Sequence, residues 1–125
     1  MTQTNAPLST EDLTQVIIKG MQDKKASSIA VLDLRHIKNA FADFMVICSG
    51  NSDTQVDAIT DSIEEEMLKT ARMHAYHKEG KGSKEWILLD YADIVAHVFK
   101  KDKRQHYSLE TLWGDAEISY VQDLD

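Results

Sequence analysis

Apolar positions recur along the chain first at helical and then at strand spacing. Leu13, Val16, Ile17, Gly20 and Met21 follow the three-to-four-residue step of one helix face. Ser9 or Thr10 is placed to cap that helix, and Glu11 and Asp12 sit in its first turn, where carboxylates meet the positive end of the helix dipole. Residues 28–34 and 44–48 are short, aliphatic and rich in β-branched side chains, which predicts two strands buried on at least one face, with Phe41 and Ala42 in the connection. Ser49-Gly50-Asn51 then turns the chain into a long helix. Ser52 and Gln55 have the spacing of a capping box, Val56, Ile59, Ile63 and Met67 share a face, and Glu65 and Lys69 are set for an i,i+4 pair, so the helix is predicted to run to about Arg72.

Further on, the pattern predicts a short strand over 75–78, a loop over 79–84, a strand ending at Asp90 and another over 93–99, with Tyr91 and Ala92 in the tight turn between the last two. Two short helical pieces are predicted from 101 to 113, Ser108 capping the second and Gly114 stopping it; Leu109, Leu112 and Trp113 share its face, which points to core packing. This order of elements predicts an α/β fold, a mixed β-sheet sandwiched by helices. Residues 107–125 hold five carboxylates and no Lys or Arg, and no period is visible after Gly114. The expected organisation is therefore a flexible arm over 1–7, a single domain over 8–114 and an acidic, mobile tail over 115–125.

A chain of 125 residues, with 42% hydrophobic and 28% charged positions, suffices for one core and not for two. No apolar run approaches the roughly 20 residues that span a bilayer. The polar start Met1-Thr-Gln-Thr-Asn-Ala-Pro7 lacks the basic-then-apolar pattern of a secretory signal, so a cytoplasmic location is expected. Cys48 is the single cysteine and lies in an apolar run with no flanking charge, which suits a buried, inert thiol and excludes an intrachain disulfide.

Charge narrows the partners. Fourteen basic against 21 acidic residues leave a net −7, which disfavours a phosphate backbone and favours a basic protein partner. Residues 53–66 carry six carboxylates and no cation, read as a solvated helix face or as a steering surface, while the +3 run from Lys100 to Arg104 is the one place for a direct RNA-binding reading.

Candidate chemistry is sparse. Gly80-Lys-Gly-Ser83 lacks the spacing of a P-loop and precedes a strand, so a hairpin loop is expected. Of the five histidines, only His74 and His77 are close enough in sequence to share a helix face, and neither has further ligands nearby; no metal or cofactor is expected. His97, inside an apolar strand, reads as a hydrogen-bonded structural residue. Ser49-Gly-Asn-Ser52 is similar to the Gly-Ser turn of nucleotidyltransferases, yet the paired carboxylates that hold two metal ions are missing, Asp90 and Asp93 having the wrong spacing and setting. The positive signal is aromatic. Alternation places Trp86, Leu88 and Asp90 on one face and Ile87 and Leu89 on the other, and Tyr91 at the turn tip is expected to be exposed; exposed aromatics near one another are typical interface anchors, the competing reading being that Trp86 fills the core.

The stretch Trp86-Ile-Leu-Leu-Asp-Tyr-Ala-Asp-Ile-Val-Ala-His-Val-Phe99 closely resembles the ribosomal silencing factor, or Iojap, family, as does Tyr107-Ser-Leu-Glu-Thr-Leu-Trp-Gly-Asp115. Ala42-Asp43-Phe44, Cys48-Ser49-Gly50-Asn51-Ser52 and Gln55 extend the likeness over roughly residues 8–116. The resemblance implies a nucleotidyltransferase-like topology without the catalytic carboxylates, and a repressor rather than an enzyme. It implies binding to large-subunit ribosomal protein number fourteen, a steric block to subunit joining, and damped translation when nutrients are scarce. By position it implies Trp86 and Tyr91 as partner-facing residues, with Glu79, Asp90 and Asp93 opposite Lys and Arg of the ribosomal protein. Homodimers are also implied; no nucleic-acid specificity and no membrane association are. Ala92 departs from the family, which usually has Gly there, and a positive φ at that turn makes Ala about 1 kcal/mol worse than Gly. The alternative is a nucleotidyltransferase-fold enzyme acting on a nucleotide.

Overall fold

In the computed structural model, residues 8–107 and 114–123 are described. Helix α1 spans Thr10–Asp23. Its cap is Ser9: the Ser9 hydroxyl accepts from the Asp12 amide at 3.0 Å, and the Asp12 carboxylate accepts from the Ser9 amide at 3.2 Å, a complete capping box. Thr14, Ile17, Ile18 and Met21 form its buried arc. Strands β1 (Ser27–Asp33) and β2 (Phe44–Gly50) follow, then α2 (Asp53–Glu66). At the head of α2 the Ser52 hydroxyl accepts from the Gln55 amide at 3.1 Å, as the spacing predicts. The Gln55 side chain, however, reaches past the cap: its Oε1 accepts from the Asn51 amide at 2.6 Å and its Nε2 donates to the carbonyls of Lys24 and Lys25, tying the end of α1 to the start of α2.

One widened π-turn, Met67–Ala71, ends the second helix, and Arg72 stops it in the left-handed region at φ 55°. In place of the expected Glu65–Lys69 pair, Lys69 meets Glu66 at 3.3 Å. Strands β3 (His77–Glu79), β4 (Trp86–Asp90) and β5 (Ile94–Lys100) and helix α3 (Lys101–Tyr107) complete most of the predicted order. The second helical piece, with Ser108 and Trp113, lies outside the described residues.

The tail departs from expectation. Glu117–Val121 forms β6, antiparallel to β1 in the register Ile29↔Val121 to Asp33↔Glu117, where a mobile segment was expected. Only Ile118 and Val121 of this edge strand are even half-buried, and they lie on opposite faces, so no apolar period stands out in the sequence; the backbone bonds to β1 hold it in place.

The sheet is six-stranded and mixed, in the order β3-β4-β5-β2-β1-β6, with β2 parallel to β5 and the other pairings antiparallel. Strand β2 is buried at every position, which explains its unbroken apolar run. Helices α1 and α2 cover one face, where Ile17, Met21, Ile59, Ile63 and Met67 meet Val46, Cys48, Ile87, Leu89, Ala96 and Val98. Gly20 lets the two helices touch: a Cβ there would lie 2.8 Å from the Ile63 Cα, and the Gly20 carbonyl accepts from the Ser62 hydroxyl at 2.7 Å. On the opposite face Leu32, Leu34, Met45, Ile47 and Phe99 form a second cluster, against which Trp86 and Ile118 pack in part.

Candidate protein-docking face

Strand β4 builds the site by alternation. Ile87 and Leu89 are fully buried under the helices, whereas Trp86, Leu88 and Asp90 point to the opposite face and are each only half-buried. The register His77↔Asp90 and Glu79↔Leu88 brings two exposed side chains of β3 onto that face, and Trp86↔Phe99 with Leu88↔His97 adds β5 behind it. Trp86, Leu88, Glu79 and Gly80 line a concavity of about 240 Å³. Gly80 is required there: its φ is +90°, and a Cβ would come within 1.8 Å of the Trp86 carbonyl. The Gly80-Lys-Gly-Ser83 segment is thus a hairpin loop, closed by a bond from the Lys84 amide to the Gly80 carbonyl at 3.0 Å.

The indole is anchored rather than loose. Trp86 Nε1 donates to His97 Nδ1 at 2.8 Å, and the ring stacks on Phe99 with centroids 5.1 Å apart at 22°. His97 is buried, and burial pulls its imidazole down to a pKa of about 3. The ring is therefore neutral at pH 7, with its proton on Nε2, a donor that has no acceptor among the described residues.

Tyr91 is the main correction. It is 2% exposed and sits in the helix-covered core, not at an exposed tip. The reason is continuity of the strand period: Ile87, Leu89 and Tyr91 lie two residues apart, and the extended backbone carries the alternation one step beyond Asp90. Burial raises the pKa of its hydroxyl, which has no partner among the described residues. Asp90 holds the turn, its carboxylate accepting from the Ala92 amide at 2.7 Å while its carbonyl accepts from the Tyr76 amide at 2.8 Å. Ala92 does adopt a positive φ of 72°. Asp93 stands exposed at the corner, with its carbonyl accepting from the amides of Asp43 and Phe44. Of the five residues implied by resemblance, Trp86, Asp90 and Glu79 share a face, Asp93 lies at the corner beyond it, and Tyr91 is turned away; Leu88 is the addition.

The acidic helix carries less free charge than its sequence suggests. Asp53, Asp57, Asp61 and Glu64, spaced four, four and three apart, form one stripe of α2, and each meets a lysine. The pairs are Lys100–Asp53 at 3.2 Å, Lys84–Asp57 at 2.8 Å, Lys81–Asp61 at 3.4 Å and Lys78–Glu64 at 2.5 Å. These exposed or half-exposed pairs are worth little singly, but together they lay the β3–β4 hairpin along the helix. Two of the four cations in the basic run are likewise engaged: Lys100 belongs to the ladder, and Arg104 donates to the Ser28 carbonyl and, at 3.1 Å, to the Ser49 hydroxyl.

Catalytic geometry is not assembled around the Ser49–Ser52 turn. The parallel register Phe44↔Ile94 to Ser49↔Phe99 puts Asp90 and Asp93 at the start of β2 and the turn at its end. Six strand residues separate them by about 20 Å, too far to share a metal pair. Ser49 is buried against Arg104, and the space a Cβ would take at Gly50 is bounded by Val56 and Ile59. Cys48 is buried, which raises its thiol pKa. One His/carboxylate cluster was not visible in sequence: Asp33, His36 and Glu117 have ligand atoms within 4.8 Å of one another, because β6 lies beside β1. Arg35 already occupies both Asp33 oxygens, at 3.0 and 2.7 Å, and draws that carboxyl below its usual range, so the cluster is an ion pair before it is a ligand set. No helix among the described residues is long and apolar enough to cross a membrane.

Comparison with known proteins agrees with this architecture. The profile of the family described as "Ribosomal silencing factor during starvation" matches residues 7–125. A ribosomal silencing factor of Halalkalibacterium halodurans is 38% identical over 113 residues, covering 87% of this chain and 92% of the relative. One from Bacillus subtilis is 37% identical over 118 residues, covering 94% and 96%. A crystal structure of a Chromobacterium violaceum protein superposes with a TM-score of 0.80 at 30% identity, covering 92% of this chain and 94% of the other. With the fold and a profile match over residues 7–125 in agreement, the chain belongs to the ribosomal silencing factor family, which ties it to translation-related silencing of the ribosome.

Proposed function

We propose that this chain binds the large ribosomal subunit through its protein number fourteen and represses translation by standing where the small subunit must join. The observation that carries the reading is the half-buried Trp86–Leu88 surface of β4, with Glu79 and Asp90 beside it. An aromatic anchor flanked by carboxylates suits a basic protein surface: the anchor slows release, and the net −7 charge speeds encounter. Tyr91 supports the turn from inside and makes no direct contact in this reading. Repression needs no chemistry, because a body roughly 30 Å across, the size expected for about 110 ordered residues, fills a close-fitting intersubunit contact. A single domain running from α1 through β6, and self-association of free copies, belong to the same proposal.

The test is co-sedimentation with isolated large subunits. Trp86→Ala should weaken binding by about tenfold or more, as truncation of an interface anchor does. Glu79→Lys, on an exposed side chain whose partner is the equally exposed His77, should weaken it and flatten its salt dependence without touching the core. Unchanged binding of both variants would overturn the proposal.

A further inference from the structure

His97 lies behind the docking face and is buried, yet it offers a nitrogen lone pair to the one residue on that face with the largest ring. A tryptophan half-exposed on a sheet would ordinarily turn its N–H toward water, or toward an acceptor on a partner. Here the N–H points inward. Among the described residues three restraints act on the ring together: the 2.8 Å bond to His97 Nδ1, the stack on Phe99, and the tilted contact with the imidazole itself at 5.7 Å. His97 is in turn stacked at 13° on Phe99 and faces Leu88 and Ile47 across its neighbouring strands. The imidazole thus has little freedom to follow the indole if the indole moves.

We propose that His97 is a positioning residue for docking: by accepting the Trp86 N–H it locks the indole edge-in, so that the partner is met by ring carbon surface and not by a hydrogen bond to the indole nitrogen. This rests on the docking reading above and adds what that reading leaves open, the chemistry of the group that meets Trp86. That group is apolar or cationic, such as an aliphatic side chain or the stem and head of a Lys or Arg, for which the π-face is the attractive surface and Glu79 the nearby counter-charge. An acceptor-bearing group finds the indole N–H already taken. The arrangement also lowers the entropic cost of binding, since the anchor is ordered before the partner arrives.

The experiment uses the full-length protein labelled with ¹⁵N at its two tryptophans, Trp86→Phe assigning the signal, with hydrogen exchange of the Trp86 indole N–H and affinity for isolated large subunits measured side by side. His97→Asn keeps an oxygen acceptor near the Nδ1 position; His97→Leu and, as a second acceptor-free form, His97→Phe remove it. The wild type and His97→Asn should show a slowly exchanging indole and similar affinity. In the acceptor-free forms exchange should quicken by about tenfold and affinity fall by about fivefold, the cost of re-ordering one side chain at an interface, with thermal stability little changed. Rapid exchange in the wild type overturns the inference without need of any variant. So does a freed indole in His97→Leu or His97→Phe with undiminished affinity, provided Trp86→Ala still weakens binding; if Trp86→Ala binds normally, it is the docking reading that fails, and the inference with it.

Discussion

Lowering the pH from 7 to 4.5 should destabilise the protein through one identifiable group, His97. Its folded imidazole is pulled down from 6.5 to about 3 by burial, and the residues around it, Trp86, Phe99, Leu88 and Ile47, offer no carboxylate to hold an imidazolium. Unfolded chains bind a proton at this position below pH 6.5 and folded ones do not. Stability from this group is therefore fully present above pH 6.5 and falls as pH drops between 6.5 and about 3. The slope is about 1.4 kcal/mol per pH unit, so the loss at pH 4.5 is about 2 to 3 kcal/mol. Urea unfolding of the wild type and of His97→Leu at pH 7 and at 4.5 isolates the effect, because carboxylate contributions such as that of the Arg35-paired Asp33 are common to both proteins. At pH 7 the two should differ little: the variant loses one hydrogen bond and also removes the imidazole donor that has no acceptor. At pH 4.5 the variant should be the more stable by about 2 kcal/mol. Equal acid sensitivity of the two proteins would refute the reasoning.

Other outcomes follow from single positions. Ala92→Gly relieves a φ of +72° and should stabilise by up to about 1 kcal/mol, read as a raised thermal midpoint; a lowered midpoint would show that the turn does not hold that conformation. Gly80→Ala should cost more than about 2 kcal/mol, because the added Cβ meets the Trp86 carbonyl at 1.8 Å, and it should also weaken large-subunit binding by displacing the docking face. Tyr91→Phe removes a buried hydroxyl with no partner among the described residues, so stability should hold or rise and large-subunit binding should not change; loss of binding with a stable fold would return Tyr91 to the interface.

Local periodicity was enough to determine the two long helices, the Ser52 cap and the strands β1, β2, β4 and β5, because each buries a face whose spacing is written into adjacent residues. The same alternation correctly divided Trp86 and Leu88 from Ile87 and Leu89, and continued by one step it would have placed Tyr91 in the core. Only the assembled sheet decided the rest. β6 is a strand because β1 offers it backbone partners; Ile118, Tyr120 and Val121 favour extended backbone, but five mostly exposed residues show no apolar period of their own. Four of the six carboxylates of 53–66, Asp53, Asp57, Asp61 and Glu64, look unpaired in sequence because their lysines arrive from the β3–β4 hairpin and the end of β5, 14 to 47 residues later along the chain. Trp86 and His97, eleven residues apart, become donor and acceptor because antiparallel pairing of β4 with β5 sets them on one face, near enough for one ring to fix the other. Sequence determines which face each residue takes; which residues then meet across that face is a property of strand register, and register is settled by tertiary contacts.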